Sequence, residues 1–372
     1  MIIKRSIVTG IIILLYFLPG YPQIRLFNRQ DLLDQIRAGI DHIYNYEFEA
    51  ASSQFDEVEK VIPWHPVIPF LRGFQIYWEA NPITPYDERS DLFVSYMEES
   101  ISIAQSITEE NEDDIEAVFF DLASNAILLL YYADNGETGK VLSRAGYTYR
   151  LIKKGFILQE EFPEFCFFTG VYNYYRVVYP EIHPIYKPIS LLFPPGDKEY
   201  GWDLLTWIKQ NSVFLRAEAM YFMSHIAMSM EDDPGLSQEF TSEVLTIFPQ
   251  NNFFRVRHLL GLNSAGKYRE MEQHVNILLK QEVNDQFALM AAFIFRGVME
   301  EKLHRDYISA REYYREGLKI CEKYGVRAGN YAATANLGIS RIYKLQGNNR
   351  RSREYWKKAR SLAKYDYILK DR

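Results

Sequence analysis

The chain has 372 residues with a formal charge of −7, and 48% of them are hydrophobic and 15% aromatic, including 28 Tyr and 24 Phe. That much apolar surface can bury a core along the whole length and excludes a disordered chain, while the acidic balance argues against a nucleic-acid partner. The charge is uneven: eleven Lys and Arg against three acids from 341 to 372 make a local +8, leaving −15 for the rest.

At the N-terminus, Lys4 and Arg5 precede an apolar run over 7–18, broken only by Thr9 and Gly10, and then come Pro19, Gly20, Tyr21 and Pro22. A charged n-region, a short apolar stretch and a small residue near a cleavage point read as a secretory signal peptide over 1–20. Twelve residues are too few for a spanning helix of about 20. An uncleaved anchor is the alternative. No Cys follows the run, which excludes a bacterial lipoprotein anchor.

Candidate helices over 29–45 and 48–61 form a first hairpin in which small Gly39 and Ala51 let two helices cross, Phe55 and Val58 follow, and Pro63 closes the unit. This spacing resembles the tetratricopeptide repeat (TPR), whose second helix carries small, aromatic, small and Pro residues in that order. The resemblance implies an all-α fold: a right-handed α-α superhelix, a TPR-like solenoid of about 7 to 8 helical hairpins that works by holding something. In this alignment Tyr46 stands where the inter-helix turn usually has Gly. A single solenoid over 21–372 competes well with two domains, because stacking lengthens a fold without enlarging one core.

Further helices are expected over 66–79, 91–107, 115–133 and 139–154, with Asn135 and Gly136 as a turn and the acidic run 109–114 as a solvated turn whose Asp113 or Asp114 caps the next helix. Then Phe165, Phe168, Tyr172, Tyr175 and Tyr179 recur at helical steps, with Val171, Tyr174 and Val178 as a second stripe, so this helix is apolar over much of its circumference. Five prolines from Pro180 to Pro195 break the period, and 180–196 is expected to be an irregular connector. Helices resume over 198–209 and 212–230, and Asp233 with Pro234 open another. Cys166, among Phe165, Phe167 and Phe168, reads as a small hydrophobe, although a bridge to Cys321 is open to an exported chain.

The last third shows the TPR spacing again around Gly266 and Tyr268, at Tyr307, Ala310, Tyr314 and Gly317, and from Ser340 to Ala359. Its second-helix small positions at 271, 310 and 352 are 39 and 42 apart, longer than the usual repeat of about 34. Across 162–227, Gly170, the LLFPP run, Gly196-Asp197, Gly201 with Leu204 and Leu205, Ser212 and Arg216-Ala217 resemble the middle of a eukaryotic TPR family that includes a mitochondrial outer-membrane inclusion-clearance protein. That likeness implies the fold and no chemistry.

No HExxH, Walker loop, GxGxxG or GxSxG occurs, and neither Cys nor His has metal spacing, so no catalytic residue, metal or cofactor is expected. On the TPR resemblance, first helices line the concave face. In the first repeat that face presents Ile36, Ile40 and Tyr44 without Lys or Asn, which argues against the peptide-carboxylate clamp and suits an apolar segment. In the last repeat Arg341 and Lys344 suit an acidic partner. The aromatic helix offers Tyr172, Asn173 and Arg176 as a small-ligand or glycan pocket around 165–179. The expected function is a non-enzymatic, exported scaffold for protein-protein interaction, most simply in the periplasm, with no nucleic acid, and with membrane contact open but not expected. The small-ligand or glycan-binding solenoid is the alternative.

Overall fold

In the opening helix, Leu32, Leu33, Ile36, Gly39, Ile40, Ile43 and Tyr44 fall at steps of three and four, and all are buried. The computed structural model describes residues 25–280 and 285–370, so the expected signal peptide lies outside the described residues. The helix is Gln30–Tyr44 (α1), and it pairs with Phe48–Val61 (α2). The pattern continues through Val67–Glu79 (α3) with Ser90–Glu110 (α4), Ile115–Asp134 (α5) with Thr138–Leu158 (α6), and Cys166–Ile182 (α7) with Lys198–Asn211 (α8). Then come Arg216–Ser229 (α9) with Pro234–Ile247 (α10), Asn252–Ser264 (α11) with Met271–Lys280 (α12), Gln286–Met299 (α13) with Tyr307–Cys321 (α14), and Gly329–Leu345 (α15) with Asn349–Leu362 (α16). Each hairpin packs on the next, making an all-α, right-handed, TPR-like superhelix of eight hairpins among the described residues. A short helix, Asp366–Lys370 (α17), folds back onto α9 and α15.

One turn geometry recurs and explains the glycine spacing. Gly136, Gly266 and Gly347 have φ of 75°, 70° and 73°, and the next residue's N–H reaches back five residues, Glu137 to Tyr132, Lys267 to Leu262 and Asn348 to Tyr343, each at 2.9 Å. This is the left-handed helix stop that satisfies a terminal carbonyl, and it favours glycine. Tyr46 takes the same place with φ 62°, and Glu47 bonds His42 at 2.9 Å. The strain is offset by its side chain: the ring stacks on Phe48 and the hydroxyl accepts from the Phe253 N–H at 3.3 Å.

Helix starts also follow expectation. The carboxylates of Asp114 and Asp233 accept from the N–H groups of Ala117 and Leu236, with Pro234 in the first turn. Several helix ends differ: α4 runs on to Glu110 and α6 to Leu158. α7 runs through Pro180 to Ile182, since a proline near a helix end forfeits one backbone bond only. α9 begins at Arg216 rather than 212, because Ser212 Oγ accepts the Leu215 N–H and turns the chain first. Cys166 and Cys321 are free and buried, and burial pushes their thiols up to about 11 and about 12.

Aromatic rings bind the hairpins together. Phe119 on α5 is fully buried against Phe27, Phe120, Phe162, Phe165, Phe168 and Phe214, with centroids between 5.2 and 6.2 Å. α5 is long and apolar enough to cross a membrane, with mean hydropathy 1.4, yet 72% of that window is buried within the protein, as befits a core helix. The core continues as one cluster from Leu26 to Phe254 and a second from Val256 to Ile368, which meet on α11.

The superhelix also closes on itself. Asn251 Nδ2 donates to the Tyr44 carbonyl at 2.8 Å, Arg216 pairs with Asp41 at 2.6 Å, and Trp78 meets Phe253 and Phe254 at 5.5 and 5.7 Å. The first two hairpins therefore pack against the fifth and sixth.

Glu164 is buried and accepts from Ser212 Oγ and the Val213 N–H, both at 2.5 Å, while burial raises its pKa from 4.5 to about 7. Between those values the folded chain holds a proton that the unfolded chain has released, so rising pH favours unfolding. This contribution is full below about pH 4.5 and lost as pH passes about 7. Glu164→Gln is expected to shallow the fall in urea midpoint over that window. It should not abolish it, because burial moves Glu218 the same way, also to about 7. An unchanged slope would remove Glu164 from the account.

Candidate functional site

The aromatic helix α7 forms one wall of a groove of about 540 Å³, closed by α6 and by the connector at 183–197. Tyr172 sits 5.9 Å from Tyr149 and 5.5 Å from Phe156, and the connector's Phe193 meets Tyr149 edge-on at 4.8 Å. The connector is tied to α7 by polar bonds: Tyr172 donates to the Pro194 carbonyl at 2.8 Å and Arg176 Nη2 to the Phe193 carbonyl at 3.1 Å. The buried Nε of Arg176 has no hydrogen-bond partner. Asn173 turns away from the groove; its amide donates to the Thr169 carbonyl at 2.9 Å and accepts the Asp197 N–H at 3.1 Å. Tyr172 and Arg176 therefore share the groove, and Asn173 anchors its frame.

The glycines of this region permit close approach. A Cβ on Gly201 would stand 2.8 Å from the Gly170 carbonyl, and one on Gly196 would stand 2.5 Å from that of Asn173. They let α8 and the connector lie directly on α7.

The other residues singled out from the sequence are dispersed. Ile36, Ile40 and Tyr44 are buried, and closure of the superhelix sets Phe248, Phe254 and Asn251 against Tyr44. Arg341 is held by Glu301, at 2.6 Å through Nε and 2.8 Å through Nη2. Lys344 is exposed on the same helix.

Sequence reasoning missed a second feature, a chamber inside the superhelix. Two adjoining cavities, of about 110 and 190 Å³, share Asp134 at the end of α5, Tyr221 on α9, Arg257 on α11 and Arg327 in the turn before α15. Lys364 and Tyr365, just before α17, complete the larger one. Arg257 Nη2 donates to the Tyr221 hydroxyl at 2.7 Å, and its guanidinium lies 4.9 Å from that ring and 5.3 Å from Phe253. Arg327, with its side chain only 8% exposed, faces Asp134 at 3.4 Å, and its Nη1 makes no hydrogen bond. Burial, together with the two guanidiniums, lowers the Lys364 pKa against the opposing pull of Asp134. His225 beside Tyr365 is pushed down to about 3, first by burial and then by Arg257, so it stays neutral. The available signal was Arg255 and Arg257 within the otherwise apolar start of α11.

Among the described residues no group of three or more His, Cys, Asp or Glu could hold a metal ion.

No family model matches the chain, and no curated protein matches it either. Solved structures similar to it include a human IFIT1 dimer with PPP-AAAA (13% identity, 91% of this chain and 85% of that one, TM-score 0.37). A monomeric IFIT1 mutant with Gppp-AAAA gives 12% identity, coverage of 87% and 79%, and a TM-score of 0.36. Yeast Tom70 gives 11% identity, coverage of 92% and 94%, and a TM-score of 0.24. At such scores none of them bears on what this chain binds.

Proposed function

We propose that the protein is a non-enzymatic helical-repeat scaffold, exported to the bacterial envelope and most simply to the periplasm, that holds another protein through the connector above the aromatic groove. The observation that carries the reading is the exposure of apolar side chains there: Ile185, Leu191 and Leu192 are 80, 80 and 81% exposed. Clustered exposed aliphatic residues cost solubility and mark contact surfaces. Export rests on Lys4, Arg5 and the apolar run at 7–18. Membership of the narrower eukaryotic TPR family rests on Gly170, Gly196 and Gly201, and any helices crossing this closely would need such glycines.

Substituting both Leu191→Ser and Leu192→Ser is expected to leave stability within about 0.5 kcal/mol, since both side chains are in water. The same double variant should reduce capture of the partner from envelope extract about fivefold or more. A partner retained equally by the variant, or none above a surface-scrambled control, would overturn the reading.

The unpartnered Nε of Arg176 favours a second reading, a small-ligand site in the groove. Walls of Tyr149, Ile152, Val171 and Tyr175 suit an aromatic or aliphatic acid better than a glycan, whose hydroxyls would go unmatched. A ligand that raises the melting temperature of the wild type but not of Arg176→Ala would select it.

A further inference from the structure

We infer that the interior chamber is a binding site for a small phosphate monoester, held by Arg257, Arg327 and Lys364 among tyrosine rings. The argument goes beyond the scaffold reading and concerns a different part of the molecule. Three cations face the larger cavity, and Asp134 is the carboxylate among the residues that line it; Glu218 lines the smaller cavity, where burial pushes its pKa up to about 7. Asp134 serves Arg327 at 3.4 Å. Arg257 reaches the Tyr221 hydroxyl and two rings, and neither it nor Lys364 pairs with a carboxylate among the described residues. Cations drawn together in a confined space without counter-charge are costly, and a bound anion removes the cost. Two positive charges remain after Arg327 and Asp134 are set against each other, which matches a phosphate monoester of about −1.5 to −2 and leaves a carboxylate one charge short.

The geometry fits that class. Arg327 Nη1 stands 3.4 Å from Asp134 without a hydrogen bond, so it can still donate, and guanidiniums suit phosphate oxygens. Tyr175, Tyr221, Tyr331 and Tyr365 offer faces for a flat ester group. At about 190 Å³ the larger cavity lies below the usual 300–1,000 Å³ of drug-sized pockets, so the ligand is small. Lys364 is exposed and lines the larger cavity, which places it at the entrance.

The test is a thermal-shift and calorimetric titration of the full chain at low salt with phenyl phosphate, inorganic phosphate and benzoate. Phenyl phosphate is expected to raise the melting temperature with dose, inorganic phosphate less for want of a ring, and benzoate least. Arg327→Gln and Lys364→Gln should each weaken phenyl phosphate about tenfold or more. Lys364→Gln changes a partly exposed side chain and keeps the test valid if Arg327→Gln fails to fold. No shift up to about 10 mM, benzoate equal to phenyl phosphate, or undiminished affinity in Lys364→Gln would overturn the assignment.

Discussion

Asn251→Ala is expected to destabilise the chain by about 2–4 kcal/mol, far more than removal of one surface amide would. Asn251 is fully buried and serves two helix ends at once. Its Oδ1 accepts the Phe254 N–H at 3.0 Å and caps α11, and its Nδ2 donates to the Tyr44 carbonyl, 207 residues away, at 2.8 Å. That carbonyl belongs to the last turn of α1 and takes no part in the backbone bonds of the turn that follows. Losing the cap alone costs about 0.5–2 kcal/mol, and leaving a buried carbonyl unsatisfied adds about 1–3. Asn251→Asp separates the two roles. It keeps the cap, and its charge suits a helix N-terminus, but it sets a carboxylate against the Tyr44 carbonyl. Hydrogen exchange should then show α1 and α2 losing protection while α11 keeps it. Uniform loss across the chain, or a cost in Asn251→Ala below about 1 kcal/mol, would mean that the superhelix is closed by its aromatic contacts alone.

Closure also explains which parts of this protein were legible in its sequence. Helices and turns were, because their determinants are local: apolar residues at helical steps mark α1, and glycines at 136, 266 and 347 stand where a left-handed residue must end a helix. The concave face was not. Ile36, Ile40 and Tyr44 occupy first-helix positions that would line an open groove, but all three are buried, and the fifth and sixth hairpins return to cover Tyr44 through Phe248, Asn251 and Phe254. Nothing in 29–63 encodes that return. The chamber was hidden for the same reason, since Arg257, Arg327 and Lys364 come from three elements far apart in the chain and only the superhelix brings them together. The aromatic groove was half legible. The helical period of α7 sets Tyr172 and Arg176 on one face, and both line the groove, but the direction of Asn173 depends on where the connector lies.

Glu301→Ala is expected to have the larger effect, about 3–5 kcal/mol, because it breaks a buried charge pair from one side. Glu301 is 5% exposed at its side chain and Arg341 15%, and the two are joined by the paired bonds at 2.6 and 2.8 Å. The Tyr314 hydroxyl donates to the same carboxylate at 2.7 Å. Tyr314 is wedged so tightly that a Cβ on Gly338 would come within 2.3 Å of its ring, and one on Gly297 within 2.7 Å. Neither ring nor guanidinium can therefore swing out without opening the contact among α13, α14 and α15. Glu301→Leu combined with Arg341→Met should recover most of the loss, since apolar replacement of both partners removes the desolvation cost along with the attraction. Urea denaturation of the two single variants and the double variant measures the coupling. A coupling energy below about 0.5 kcal/mol would show that Glu301 does not fix Arg341. A large coupling assigns Arg341 to the fold and leaves the exposed Lys344 as the cation that α15 offers outward.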